Sequence, residues 1–222
     1  LEKRIEVKVD NVDVSYIIVE NCRVEEISEG QKRKILDGIE IEIDKIKKDE
    51  ATKKVVRDIL RFGKYKPSGR GKPASEYLFE SYLRGEFPFI NNFVDFLNFV
   101  SLKSMLPISL IDLDKARSEY FILRRGKKGE SYIFNNSGQV LEVEDLLIIA
   151  TKQDEPIASP VKDSLKTKID FSSKRIIAVI YSIEQLKEKL EEATEELVSF
   201  YKDFGKIVEV EKGRYVTKCN YF

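Results

Sequence analysis

Apolar positions along this chain repeat with two periods. Ile5, Val7 and Val9 alternate with charged residues, and residues 14–19 are rich in β-branched side chains, so the chain opens with two predicted strands. After a polar interval at 28–34 comes ILDGIEIEIDKIKK (35–48), which carries two signals. The IEIEI alternation favours a strand and the flanking charges favour a helix, and the pattern leaves both open. Val55, Val56, Ile59 and Leu60 have helical spacing over 51–62, with Gly63 placed as a C-cap. Ser75 is the expected cap of a short helix with Glu76 in its first turn, continuing through Leu78, Phe79 and Tyr82 to Gly85.

The most unusual stretch is 87–114. Between Arg84 and Lys103 only Glu86 and Asp95 can ionise, among Phe89, Phe93, Phe96, Leu97, Phe99 and other apolar residues. Helical spacing puts Ile90, Phe93, Val94, Leu97 and Val100 on one broad face and Asn91, Asp95 and Asn98 in a narrow polar stripe. A helix apolar on most sides is enclosed by its own protein. An unpaired polar group in such a place costs about 1–3 kcal/mol, so the stripe either ties the helix to neighbouring backbone or lines a ligand pocket.

Downstream, Pro107 ends the helix, and the acids of the Asp112/Asp114 pair are expected to cap a turn, since two carboxylates are too few oxygen ligands for Mg²⁺. Strands are predicted at 120–125, 131–134, 139–143 and 176–180, with Asn135-Asn136-Ser137-Gly138 as a turn. The all-apolar run at 146–150 reads as a central strand. A polar loop follows, then a helix over 183–204 with Leu186, Leu190, Leu197 and Phe200 inward, Gly205 as its stop, and a closing hairpin of 207–210 with 215–217. Neither a repeat nor a linker divides the chain, so one domain is expected over 1–222.

Composition narrows the chemistry. With 39 basic and 39 acidic residues no global field selects a partner, and any nucleic-acid surface must be local. The best candidate is RFGKYKPSGRGK (61–72), where Arg61, Lys64, Lys66, Arg70 and Lys72 are interleaved with Phe62, Tyr65 and glycines and no acid intervenes. It is not a P-loop, because Gly71-Lys72 is followed by Pro73. A solvated surface loop is the alternative. The chain has no histidine, which excludes Ser-His and Cys-His nucleophilic systems, and its two cysteines leave no ordinary zinc site. No metal or cofactor is expected. The absence of a long apolar run or a signal-peptide pattern predicts a cytoplasmic protein without membrane association.

Pro88-Phe89-Ile90-Asn91-Asn92-Phe93-Val94-Asp95, then Asn98, Leu106-Pro107 and Asp112-Leu113-Asp114-Lys115, resemble the central motif of the B3/B4 domain of bacterial phenylalanyl-tRNA synthetase β subunits. Gly129-Glu130 and Asp145-Leu146-Leu147-Ile148 continue the likeness, which covers about 77–180. The resemblance implies an α+β fold of mixed or antiparallel sheets packed with helices. It also implies binding of the tRNA acceptor end and hydrolysis of mischarged aminoacyl-tRNA, in what looks like a free-standing version of the domain with no room for the aminoacylation module. Ser109 stands where the synthetase motif has histidine, and residues 158–164 replace a glycine-rich loop, so the synthetase's amino-acid specificity is not carried over.

On this basis Asp163 or Asp95 is expected to orient the attacking water. Asn91, Asn92, Asn98, Ser109, Ser164, Thr167 and Lys168 are expected to hold the amino acid or the oxyanion, and Lys64, Tyr65, Lys66, Arg70 and Lys72 the RNA. A tRNA-binding module without catalysis, or an amino-acid binder on the same fold, are the alternatives. No DNA partner is expected, and the oligomeric state is open.

Overall fold

In the computed structural model, residues 3–213 are described, together with the backbone of 215–218. The chain forms three layers, in which a set of helices, a five-stranded sheet and a four-stranded sheet stack in that order. The class is α+β with mixed and antiparallel sheets, as the resemblance implies.

The middle layer contains β2 (Asp13–Glu20), β3 (Ile108–Asp112), β9 (Arg175–Ser182), β10 (Lys206–Lys212) and β11 (Tyr215–Lys218), in the order β11-β10-β2-β9-β3. All of its pairings are antiparallel. Side chains alternate between two cores along these strands. Ile17, Val19, Ile108, Leu110, Ile176, Ala178 and Ile180 enter the helical core, while Tyr16, Ile18, Ile111, Ile177, Val179 and Tyr181 enter the core shared with the second sheet. That double burial explains why residues 176–180 read as a continuous apolar run.

The second sheet has the order β1-β4-β7-β8, from β1 (Ile5–Val7), β4 (Phe121–Arg125), β7 (Leu147–Thr151) and β8 (Pro156–Ala158), with β1 and β4 parallel. The apolar run expected to be central is β7, paired on both sides. The ribbon of β5 (Ser131–Ile133) and β6 (Val140–Glu142) is joined by the expected turn.

The 35–48 ambiguity resolves as part of a 20-residue helix, α1 (Glu29–Lys48). Ser28 and Gln31 form a reciprocal capping box at its start. Ile35, Ile39, Ile43 and Ile46 share the buried face, and Ile41, the middle of IEIEI, is 82% exposed, so the 3.6 period won. Asp49 then caps α2 (Glu50–Leu60) by accepting from the Thr52 amide.

Three local expectations are corrected. The α2 helix stops at Leu60 rather than running to a Gly63 C-cap; Gly63, at φ +49°, instead forms a tight turn against the Asp145 carboxylate, where a Cβ would collide. Pro73, whose fixed φ suits a helix start, occupies the cap of α3 (Ala74–Leu83), and Ser75 is buried inside the helix with its Oγ unpartnered. Ile90 precedes α4 (Asn92–Ser104) and is 57% exposed, so it does not belong to the inner face of that helix.

The α4 helix is enclosed by α1, α3 and α6 (Lys187–Tyr201) and sits over β3. Phe93 is fully buried, with its ring 4.8 Å from that of Tyr201 and 6.1 Å from that of Phe204, and Tyr201 donates its hydroxyl to the Phe93 carbonyl. Met105 ends the helix in the left-handed region. Cys22 is a buried free thiol pushed up to about 12 by burial, and Cys219 lies outside the described residues. Replacing Phe93 with Ala is expected to lower the unfolding free energy by about 3–5 kcal/mol in denaturant titration; a loss below about 1 kcal/mol would contradict the enclosed packing of α4.

Candidate functional site

The polar stripe of α4 is largely consumed by local bonding. Asn91 caps the helix, its side chain accepting from the Val94 amide at 3.0 Å. Asn92 clamps the 23–25 segment, donating to the Arg23 carbonyl at 2.8 Å and accepting from the Glu25 amide at 3.1 Å. Asp95 accepts from the Ile90 amide at 2.6 Å and is almost fully buried. Burial pushes its carboxyl up to about 6, against the backbone bonds that favour the charge. Of the two roles left open by the sequence, the geometry gives these three the structural one. Asn98 is also buried, and its amide has no bonding partner among the described residues.

A second polar cluster lies across the five-stranded sheet from this helix. Ser109 is fully buried on β3, facing the second sheet, with its Oγ 2.8 Å from the Tyr181 hydroxyl and 3.3 Å from the Ser159 carbonyl. Asp163 comes in from the loop after β8. Its Oδ2 accepts from the Leu110 amide at 3.0 Å on the free edge of β3, while its Oδ1 is enclosed and has no partner. The residue as a whole is half-buried, but its carboxyl is enclosed and is pushed up to about 6 by burial; Ser109, the Leu110 and Ser159 amides and Lys168 oppose the shift. The loop is held by Ser159, which donates to the Lys162 carbonyl at 2.9 Å, and by Tyr132, which donates to the same carbonyl at 2.6 Å. Ser164 caps the short 3-10 turn Leu165–Thr167, and buried Thr167 donates to the Ile157 carbonyl at 3.4 Å. Asp95 and Asp163 are therefore on opposite sides of a sheet and do not form one site.

The 61–72 loop abuts this second cluster, with the Ala74 amide donating to the Pro160 carbonyl at 2.9 Å. Much of its charge is already neutralised. Arg61 pairs with Asp58, Lys64 with Glu144 and Lys72 with Glu80. Tyr65 donates its hydroxyl to the Gly71 carbonyl at 2.7 Å, and its ring packs on the second core, so it is not free to stack on a base as expected. Lys66 and Arg70 make no ion pair among the described residues. Arg70 instead lies near Lys162 of the 159–168 loop. The Lys162 ammonium is pushed below its ordinary value by burial and by Arg70 and Lys168. Lys162 lies 4.0 Å above the Phe134 ring centroid, and Lys168 donates to the Phe134 carbonyl at 2.6 Å.

The structure thus gathers Ser109, Asp163, Ser164, Thr167, Lys168 and Arg70 in one region, while Asn91, Asn92 and Asp95 bond to nearby backbone and Lys64 and Lys72 are in ion pairs. Sequence reasoning missed Lys162, Phe134, Tyr132 and Tyr181. The available signal was Ser109 itself, a lone hydroxyl inside a strand of apolar residues, which needs a partner across the core.

Residues 66–204 match the family model for the B3/4 domain, and the chain belongs to that family. Over 108 residues it is 33% identical to the phenylalanine–tRNA ligase beta subunit of Streptococcus mutans, a match spanning 48% of this chain and 13% of that subunit. The corresponding subunit of Streptococcus thermophilus is 28% identical over the same length. The chain therefore spans a small part of the length of these relatives. In fold it is similar to an N-terminal fragment of the phenylalanyl-tRNA synthetase beta subunit from Pyrococcus horikoshii, with a TM-score of 0.50 at 10% identity over 94% of this chain and 51% of that one. Among the described residues no helix is long and apolar enough to cross a membrane, and no group of potential ligands suits a metal ion.

Burial of Asp95 generates a pH prediction. In the unfolded chain this carboxyl ionises near 4, and in the fold at about 6, so the folded state favours the protonated form. The wild type should therefore lose stability relative to Asp95→Asn as pH rises from about 4 to about 6, by about 2–3 kcal/mol, with no further change above. Parallel urea titrations of both proteins across pH 4–8 measure this, and a constant difference would refute the assignment.

Proposed function

We propose that this chain binds the aminoacylated 3′ end of tRNA between the 66–74 and 159–168 loops and hydrolyses the ester. The observation that carries this reading is the Asp163 Oδ1, enclosed and without a partner among the described residues, near a group of three cations that make no ion pair among those residues. Arg70, Lys162 and Lys168 suit the phosphates of the terminal nucleotides, and Phe134 offers a half-buried ring beside them. The relatives are named as beta subunits of a phenylalanine–tRNA ligase, which supports tRNA as the partner.

An aminoacyl ester needs no protein nucleophile. Ionised Asp163 takes a proton from water as its oxygen attacks the ester carbonyl, the Ser109 and Tyr181 hydroxyls stabilise the oxyanion, and the bond to the ribose oxygen breaks. Asp163 then returns the proton to that oxygen, releasing free amino acid and deacylated tRNA. With its pKa raised to about 6, the carboxyl is both ionised at neutral pH and a better base than an ordinary aspartate. Because Oδ1 is enclosed, the 159–164 segment must lift from β3 to admit the ester.

That same enclosure favours a second reading, in which the chain binds the acceptor end and does not cleave it. Single-turnover deacylation with a panel of mischarged tRNAs separates the two. Hydrolysis is expected to rise with pH through about 6 and to fall by about 100-fold or more in Asp163→Asn, with tRNA affinity retained. Turnover of no ester above buffer by folded, tRNA-binding protein would sink the hydrolase reading and leave the binding one.

A further inference from the structure

A cleft of about 840 Å³ opens on the other side of the Leu165–Thr167 turn from Asp163. It lies between the short helix α5 (Leu113–Ala116), the β7–β8 turn and the turn at 172–174. Its walls contain acids and bases, but the acids are already engaged. Asp112 caps α5 through the Lys115 amide and accepts from the Ser173 hydroxyl at 2.5 Å, Asp114 pairs with Arg175, and Glu155 pairs with Lys166. The fourth acid in this neighbourhood, Asp170, pairs with Lys115 and is held well below the usual carboxylate range by that bond first, with Ser172 adding to it. What remains are Arg117 and Lys174, both exposed, both on the cleft wall, and neither in an ion pair among the described residues. The cleft therefore presents two uncommitted cations over a polar floor that includes Thr151 and Gln153.

We infer that this cleft is a phosphate subsite for the polynucleotide whose 3′ end lies at Arg70, Lys162 and Lys168, with Arg117 and Lys174 as its cation ligands. The inference rests on the reading of the site given above and extends it to the path of the strand. Two features favour a polynucleotide over a free phosphate. First, the cleft and the three-cation group are continuous: Lys115 on the cleft wall donates to the Lys168 carbonyl at 2.7 Å, and one 3-10 turn carries Lys166 into the cleft while Lys168 faces Phe134. A single polyanion can engage both, gaining from each neutralised phosphate by counterion release. Second, Phe171, 58% exposed and next in sequence to the cleft-lining Ser172, offers an aromatic surface suited to a base or ribose, which a free phosphate would not use. The cleft and the three-cation group thus divide the work: the cleft positions the strand without touching the ester, and the other site holds the terminal residue.

The test measures affinity for unacylated tRNA over a range of salt concentrations in the full chain. The Arg117→Gln/Lys174→Gln variant is expected to weaken binding roughly tenfold at low salt and to reduce the slope of log K against log salt by about 1–2. The conservative pair Arg117→Lys/Lys174→Arg is expected to restore the slope, which a folding defect would not do. Unchanged affinity and slope in the glutamine variant overturns the cleft proposal, whatever happens to Arg70→Ala/Lys162→Ala/Lys168→Ala. Loss in the cleft variant with none in that triple variant leaves the cleft standing and overturns the placement of the 3′ end. Saturable binding of inorganic phosphate to the wild type, abolished in the glutamine variant while tRNA affinity stays unchanged, would assign the cleft to a free phosphate and overturn the polynucleotide.

Discussion

Strand β9 is the constraint on which the rest of this structure depends. It is buried on both faces and paired on both edges, between β2 and the edge strand β3, so its side chains alternate between the two cores that the sheet separates. A residue with its polar atoms at the wrong place on such a strand has no solvent to turn to. Tyr181 solves this by pointing its hydroxyl at Ser109 on the neighbouring strand, and that one cross-strand bond seeds the buried polar cluster.

The edge strand β3 extends the same logic. Its outer edge would leave the Leu110 amide unpaired, and the Asp163 carboxylate covers it. Asp163 therefore has two properties at once. One oxygen does a structural job at a sheet edge and the other is left without a partner in a low-dielectric setting, which raises the cost of the charge. A group stabilised on one side and unsatisfied on the other is how a fold keeps a carboxylate reactive without unfolding around it.

Charge on the surface follows a different rule. The segment 61–72 is rich in bases, yet Arg61, Lys64 and Lys72 are paired with Asp58, Glu144 and Glu80, all outside the segment. Five of the cations that make no ion pair among the described residues, Arg70, Lys162, Lys168, Arg117 and Lys174, come from four separate stretches of chain. Their grouping is a product of tertiary folding, and a run of like charge in a sequence is a poor guide to the field a ligand meets.

The sequence by itself determined most of the elements, though not whether 35–48 is helix or strand. The β-branched runs gave β2 and β9, the all-apolar run at 146–150 gave β7, the spacing of Phe93, Leu97 and Val100 gave α4, and the INN-x-VD-x-x-N pattern was enough to indicate the family and its α+β class, because each is a local pattern written in adjacent residues. Even the Asn91, Asp95 and Asn98 stripe was legible as one of two alternatives, a tie to neighbouring backbone or the wall of a ligand pocket. Tertiary structure alone decided between them, since the partners of Asn92 are at Arg23 and Glu25 and those of Asp163 are on β3, tens of residues away. It also decided that Asp95 and Asp163 lie on opposite faces of a sheet. Strand order is set by how two cores close around β9, and no local periodicity carries that information.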